Sequence, residues 1–228
     1  RNDFFTPTAG TYQRVSAEIT LPGSTAEYYK LNYEYSRYWP LSRALVLNTR
    51  FQLGYGDSYG EEKYRVFCSA VGSGPQIPRK TFTSADCAPG LLQDVLVADG
   101  LPIFENFYAG GTRSVRGFRD NTLGPIDFAA GSLFGQPIGG ALKTVGSLEM
   151  YFPTLLDTPA ARISAFVDVG NVYKDIDTFD ASQLRASAGI ALLWRAPVGP
   201  ISISYAAPFK KEDSDEIERL QFTFGGAF

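Results

Sequence analysis

One glycine-rich stretch holds the residues best placed to do something specific: Phe107-Tyr108-Ala109-Gly110-Gly111-Thr112-Arg113-Ser114-Val115-Arg116-Gly117-Phe118. Paired glycines, an arginine and flanking aromatics suggest a folded loop tip. The plainer reading is a surface loop whose glycines make turns. Covalent catalysis has little to work with here. Histidine is absent, which removes Ser-His-Asp and Cys-His nucleophiles and every His-ligated metal site. No nucleotide motif, metal cluster or acid–base pair stands out, so the sequence implies no cofactor and no metal. Cys68 and Cys87 are the only cysteines. An isolated pair in one loop reads as a disulfide in an oxidising compartment, with two free thiols as the other reading. Closing that loop of about twenty residues would restrict the unfolded chain by on the order of 3 kcal/mol.

The elements that must position this stretch lie on either side of it. Period-two alternation of apolar and polar residues, the mark of a strand with two different faces, covers residues 12–21, 27–39 and 44–56. It resumes at 142–152, 162–173, 184–195, 200–207 and 218–228. In the second segment Tyr29, Leu31, Tyr33, Tyr35 and Trp39 face one way, against Lys30, Asn32, Glu34 and Ser36, and Arg37 breaks the apolar side near the strand end. In the fourth and fifth, Leu148, Met150, Ile163 and Val167 oppose Ser147, Glu149, Ser164 and Asp168. Between the two groups, residues 57–140 have no sustained alternation. A plain connection beyond about 12–15 residues is uncommon, so this one should be functional or disordered.

Composition fits a membrane barrel. The chain has 228 residues, 13 Tyr, 17 Phe and a mean hydropathy of −0.10. Only alternate residues of a barrel strand face lipid, which keeps the mean near zero. No apolar run of ~18 residues exists, which excludes a transmembrane helix. The balance of 21 basic against 24 acidic residues gives no sign of nucleic-acid binding. A lipocalin-like barrel or an immunoglobulin-like sandwich would also alternate. The mid-strand charges Lys30, Glu34, Arg50, Glu149 and Asp168 suit a wet lumen better than a solvated outer face. The fold expected is all-β, an antiparallel transmembrane β-barrel with eight strands in this chain and one long extracellular loop. Short turns face the periplasm in bacterial barrels, which puts 40–42, 153–161 and 196–199 there and the long loop outside. The chain starts at Arg1 without an initiator Met or signal pattern, so it reads as a fragment with upstream parts missing.

The order Gly-Gly-x-x-x-Val-Arg-Gly-Phe resembles the sixth extracellular loop of the outer-membrane protein insertase family of the BamA type, and of the related two-partner secretion transporters. Phe4-Phe5-Thr6-Pro7, Gly54-Tyr55-Gly56-Asp57, Ser147-Leu148-Glu149, Phe166-Val167-Asp168-Val169-Gly170 and Gly199-Pro200 through Phe209-Lys210-Lys211 extend the likeness along the chain. The insertases are the closer match. The resemblance implies the second half of a sixteen-strand barrel, with the soluble periplasmic POTRA domains missing. It implies that Gly110, Gly111, Val115, Arg116, Gly117 and Phe118 form a loop motif folded into the lumen, where Arg116 pairs with Glu149 and Asp168. Strand parity supports that pairing, since both carboxylates fall on the polar side, and a guanidinium fork can bridge two of them where lysine could not.

At the C-terminus, Leu220, Phe222, Phe224 and Phe228 alternate and resemble the targeting signal of outer-membrane barrels. Gly225 and Gly226 weaken this last strand, either as a lateral gate or as a local kink. The partners implied are outer-membrane lipid, unfolded barrel proteins and accessory assembly lipoproteins. The function implied is folding and inserting other barrels without covalent chemistry, with secretion of one exoprotein through the lumen as the alternative. One conflict remains. The interior of an eight-stranded barrel is just filled by side chains, so the loop cannot also occupy it. The chain must be half of a wider barrel, or the loop must lie outside; in isolation it could close on itself or pair with a second copy.

Overall fold

The structure is a computed structural model that describes residues 2, 7–24, 27–59, 65–68, 92–96, 101–127, 135–156, 158 and 160–225, with 65–68, 92–96 and 127 as backbone only. Cys87, Gly226 and Phe228, and the side chain of Cys68, lie outside the described residues, and with them the disulfide and the end of the targeting signal.

Fourteen strands are described. The first three are β1 (Gly10–Ile19), β2 (Tyr28–Pro40) and β3 (Val46–Ser58). The long loop contributes β4 (Arg65–Cys68), β5 (Leu92–Leu96), β6 (Gly117–Phe118), β7 (Ile126–Asp127) and β8 (Gln136–Pro137). After it come β9 (Leu142–Phe152), β10 (Ala161–Tyr173), β11 (Arg185–Ala196), β12 (Gly199–Lys210), β13 (Ile217–Glu218) and β14 (Leu220–Phe224). Eight of them form one antiparallel sheet in the order β1-β2-β3-β9-β10-β11-β12-β14. In this sheet every strand but β14 runs 10–13 residues, enough for the ~9–11 residues of a tilted membrane strand. No described helix is long and apolar enough to cross a membrane.

Sequence expectation and structure part at the last strand. The last strand does not run unbroken over 218–228: Ile217–Glu218 leaves the sheet to pair with Gly117–Phe118 of the loop, and Leu220–Phe224 alone pairs with β12. The long loop holds short hairpins and a 3-10 turn at Ile103–Glu105. Among the described residues β1 and β14 are not paired with each other, and the sheet stays open. That resolves the volume conflict, because an open sheet leaves room for the loop on its inner side.

The two faces follow the alternation. Outward residues such as Val167, Ile190 and Phe222 are 44, 59 and 62% exposed, as befits side chains whose solvent would be lipid. The inner face carries Asn48, Ser147, Glu149, Ser164, Asp168, Ser187 and Ser204, all buried. The loop covers part of that face. Ala109, Val115, Phe118 and Leu123 pack on Val145 of β9 and Val172 of β10, with Ile217 against them. Leu101 and Phe107 pack on Tyr28 and Ala141. These two apolar clusters thus lie between loop and sheet.

Candidate functional site

Local chemistry sets the shape of the loop tip. Gly110 N–H donates to Ser114 Oγ and the Ser114 hydroxyl to Gly110 O, both at 2.8 Å. Gly111 N–H donates to Phe118 O at 2.9 Å and Ser114 N–H to Gly111 O at 3.2 Å. Gly110 has φ of +104°, and a Cβ there would collide with Arg119 O, so this turn needs glycine. These bonds tie 110 and 111 to 114 and 118, leaving Val115 and Arg116 to face the sheet.

Val115 enters the apolar cluster, and Arg116 meets the wall. Its Nε donates to Asp168 Oδ2 at 2.7 Å and its Nη2 to Asp168 Oδ1 at 2.9 Å, a bidentate fork. Its backbone N–H adds a third bond to Oδ2 at 3.1 Å. Nη1 lies 3.3 Å from Glu149 Oε2. The guanidinium carbon is 3.4 Å from the centroid of the Phe166 ring, a cation–π contact. Each carboxylate is held in turn by a serine: Ser147 Oγ donates to Asp168 Oδ1 at 2.6 Å and Ser164 Oγ to Glu149 Oε1 at 2.5 Å. Register explains the convergence. Ser147 stands opposite Asp168 and Glu149 opposite Phe166, so four inward side chains of two adjacent strands share one patch.

Asp168 is 0%, Arg116 6% and Glu149 8% exposed. Burial alone would push the Arg116 proton off. The bonds to Asp168 and the charge of Glu149 outweigh it and raise the arginine further above its ordinary value. The guanidinium therefore stays cationic.

A second set of contacts ties the same motif to the last strand. Gly117 N–H donates to Gln221 Oε1 at 3.2 Å, and Gln221 Nε2 donates to Phe118 O at 2.7 Å. The Thr223 and Thr112 hydroxyls meet at 3.1 Å. Arg119 N–H donates to Glu216 O at 2.9 Å, and their exposed side chains pair at 2.6 Å. Gly117 has φ of +90°, and a Cβ there would come within 2.9 Å of Ala206 Cβ on β12. Leu220, Phe222 and Phe224 point outward and are 64, 62 and 54% exposed. Gly225, at φ of +71°, ends the described strand, and its N–H donates to Pro200 O at 2.9 Å.

The structure therefore brings Gly110, Gly111, Val115, Arg116, Gly117 and Phe118 together with Glu149 and Asp168. Leu220, Phe222 and Phe224 lie on the far face. Sequence reasoning overlooked Ser147, Ser164, Phe166 and Gln221 as members of this site. Gln221 had a readable signal, the inward parity of an amide between outward Leu220 and Phe222. No group of three His, Cys, Asp or Glu able to hold a metal occurs among the described residues.

A profile described as the Omp85 superfamily domain matches residues 1–228, the whole chain. The chain belongs to the Omp85 superfamily. Among Omp85 relatives, the outer membrane protein assembly factor BamA of Neisseria meningitidis serogroup B is 32% identical over 251 aligned positions, covering 97% of this chain and 26% of that protein. The namesake from Nitratidesulfovibrio vulgaris is 29% identical over 131 positions, 56% of this chain and 16% of that protein. In three dimensions the crystal structure of BamA from Haemophilus ducreyi lacking POTRA domains 1-3 superposes with a TM-score of 0.71 at 30% identity, covering 97% of this chain and 39% of that one. The chain spans about a quarter of the length of the Neisseria relative. Omp85 proteins of this kind reside in the outer membrane, and so does the protein this chain represents.

Proposed function

We propose that this chain is the C-terminal half of a sixteen-strand barrel, and that the whole protein folds and inserts other β-barrel proteins into the outer membrane. The observation that carries this reading is the make-up of the sheet's last edge. β14 has five residues in register with β12, is followed by Gly225, and is held from the lumen side by the loop motif. A short, exposed edge can lend its main-chain hydrogen bonds to an incoming strand by β-augmentation. Gly225 and Gly226 would keep that seam weak, and Phe228 would complete an aromatic signal of the kind such an edge reads.

The work would need no covalent step, cofactor or metal, because the free energy of folding the incoming barrel drives it. Outer-membrane lipid and unfolded barrel proteins are the partners proposed, with accessory lipoproteins engaged through periplasmic POTRA domains. Depleting the full-length protein and taking a census of the outer membrane tests this. General loss of porins, with unfolded precursors accumulating in the periplasm, is the expected outcome. Normal barrels with retention of a single exoprotein would replace insertion with two-partner secretion.

A further inference from the structure

Arg37 lies on the outward face of β2, where its same-side neighbours Tyr29, Leu31, Tyr33, Tyr35 and Trp39 are aromatic or apolar. In the half of that face nearest the short turns, it is the one charged side chain of the eight described strands. Its register partners are Thr11 on β1 and Thr49 on β3, and Gln13 stands diagonally, opposite Tyr35. A guanidinium, two hydroxyls and an amide thus share a patch across three strands. The guanidinium carbon lies 3.6 Å from the centroid of the Trp39 ring. No carboxylate pairs with it among the described residues.

Depth narrows what could complete this patch. Arg37 is three residues from Pro40, the end of β2, or about 10 Å along a strand rising ~3.3 Å per residue. With a tilt of ~40° that is roughly 7 Å of vertical depth. An arginine is costly at the bilayer midplane and nearly neutral at this level, where aromatic belts meet headgroups. With its guanidinium carbon over the indole, Arg37 offers a planar donor fork of the shape that matches two oxygens of a phosphate. The threonines supply further hydroxyl donors beside it.

We infer that Arg37, with Trp39, Thr11 and Thr49, binds the phosphodiester of a phospholipid in the leaflet on the short-turn side. If the short turns face the periplasm, that leaflet is the phospholipid one. The test is native mass spectrometry of the full-length protein in detergent with phosphatidylglycerol, diacylglycerol of the same chains, or lipid A. One tightly retained phosphatidylglycerol is expected, lowered about tenfold by R37L. R37K should keep part of the retention, as lysine has the charge without the fork, and T49V should lower it about two- to fivefold. Equal retention of diacylglycerol, or stronger retention of lipid A, overturns the assignment. So does wild-type retention by R37L that folds, judged by heat-modifiable gel mobility. Should R37L fail to fold, unchanged retention in both R37K and T49V overturns it instead.

Discussion

At one edge of the sheet, β1 offers ten residues in unbroken register with β2, every one of them exposed. At the other, β14 offers five, and the loop grips Gln221 and Thr223 from the lumen side. Length would make the first edge the better template and the second the weaker seam. The contacts behind them qualify that. The short edge owes its position to a loop that is itself anchored on the centre of the sheet, two strands away across β11 and β12. Regular pairing sustains one edge, and a chain of side-chain contacts sustains the other.

Cutting that chain at its root should have the largest effect. Arg116→Glu places a third buried carboxylate beside Asp168 and Glu149, and losing one partner of a buried pair costs about 3–5 kcal/mol. The loop should become a substrate for protease added from outside, and β14 amides should exchange faster while β1 amides do not change. A loop that stays protected would detach the two edges from this explanation. Gln221→Leu comes next, because it takes away the partner of Gly117 N–H and leaves Phe118 O only the bond from Gly111 N–H, on the order of 1–3 kcal/mol. Hydrogen exchange at 117–118 and 220–224 should rise, with the Arg116 clamp intact. Gly117→Ala should cost about 1–3 kcal/mol through its left-handed φ and the approach to Ala206, read as a lower urea midpoint of the full-length protein. Arg119→Ala removes a solvent-exposed pair, and no loosening of the loop is expected in the same exchange measurement.

Much of this architecture could be read from residue types alone. Alternation located eight strands, and parity put Glu149 and Asp168 on the side where Arg116 meets them. The same rule hid Phe166, because an aromatic on the polar side of β10 looks like an exception until a guanidinium is seen stacked on it. Ser147 and Ser164 looked like ordinary lumen lining, since their role depends on which carboxylate faces them across the pairing. The expectation of one strand over 218–228 failed for a related reason. Nothing local tells Ile217 and Glu218 to pair with Gly117 and Phe118 about a hundred residues earlier. Periodicity reports which face a residue takes, and long-range partners decide where a strand stops.

The bridge through Gln221 has a consequence for the order of events as this molecule assembles. It joins residues 104 and 103 apart in sequence. Contacts of such separation form late, after more local pairings have lowered the entropy of closing the intervening chain. Gln221 cannot seat Gly117 and Phe118 until the final strand has reached its register on β12. The docked loop is therefore a completion signal: protection of residues 117–118 should appear last, and its appearance marks a sheet that has received its last strand.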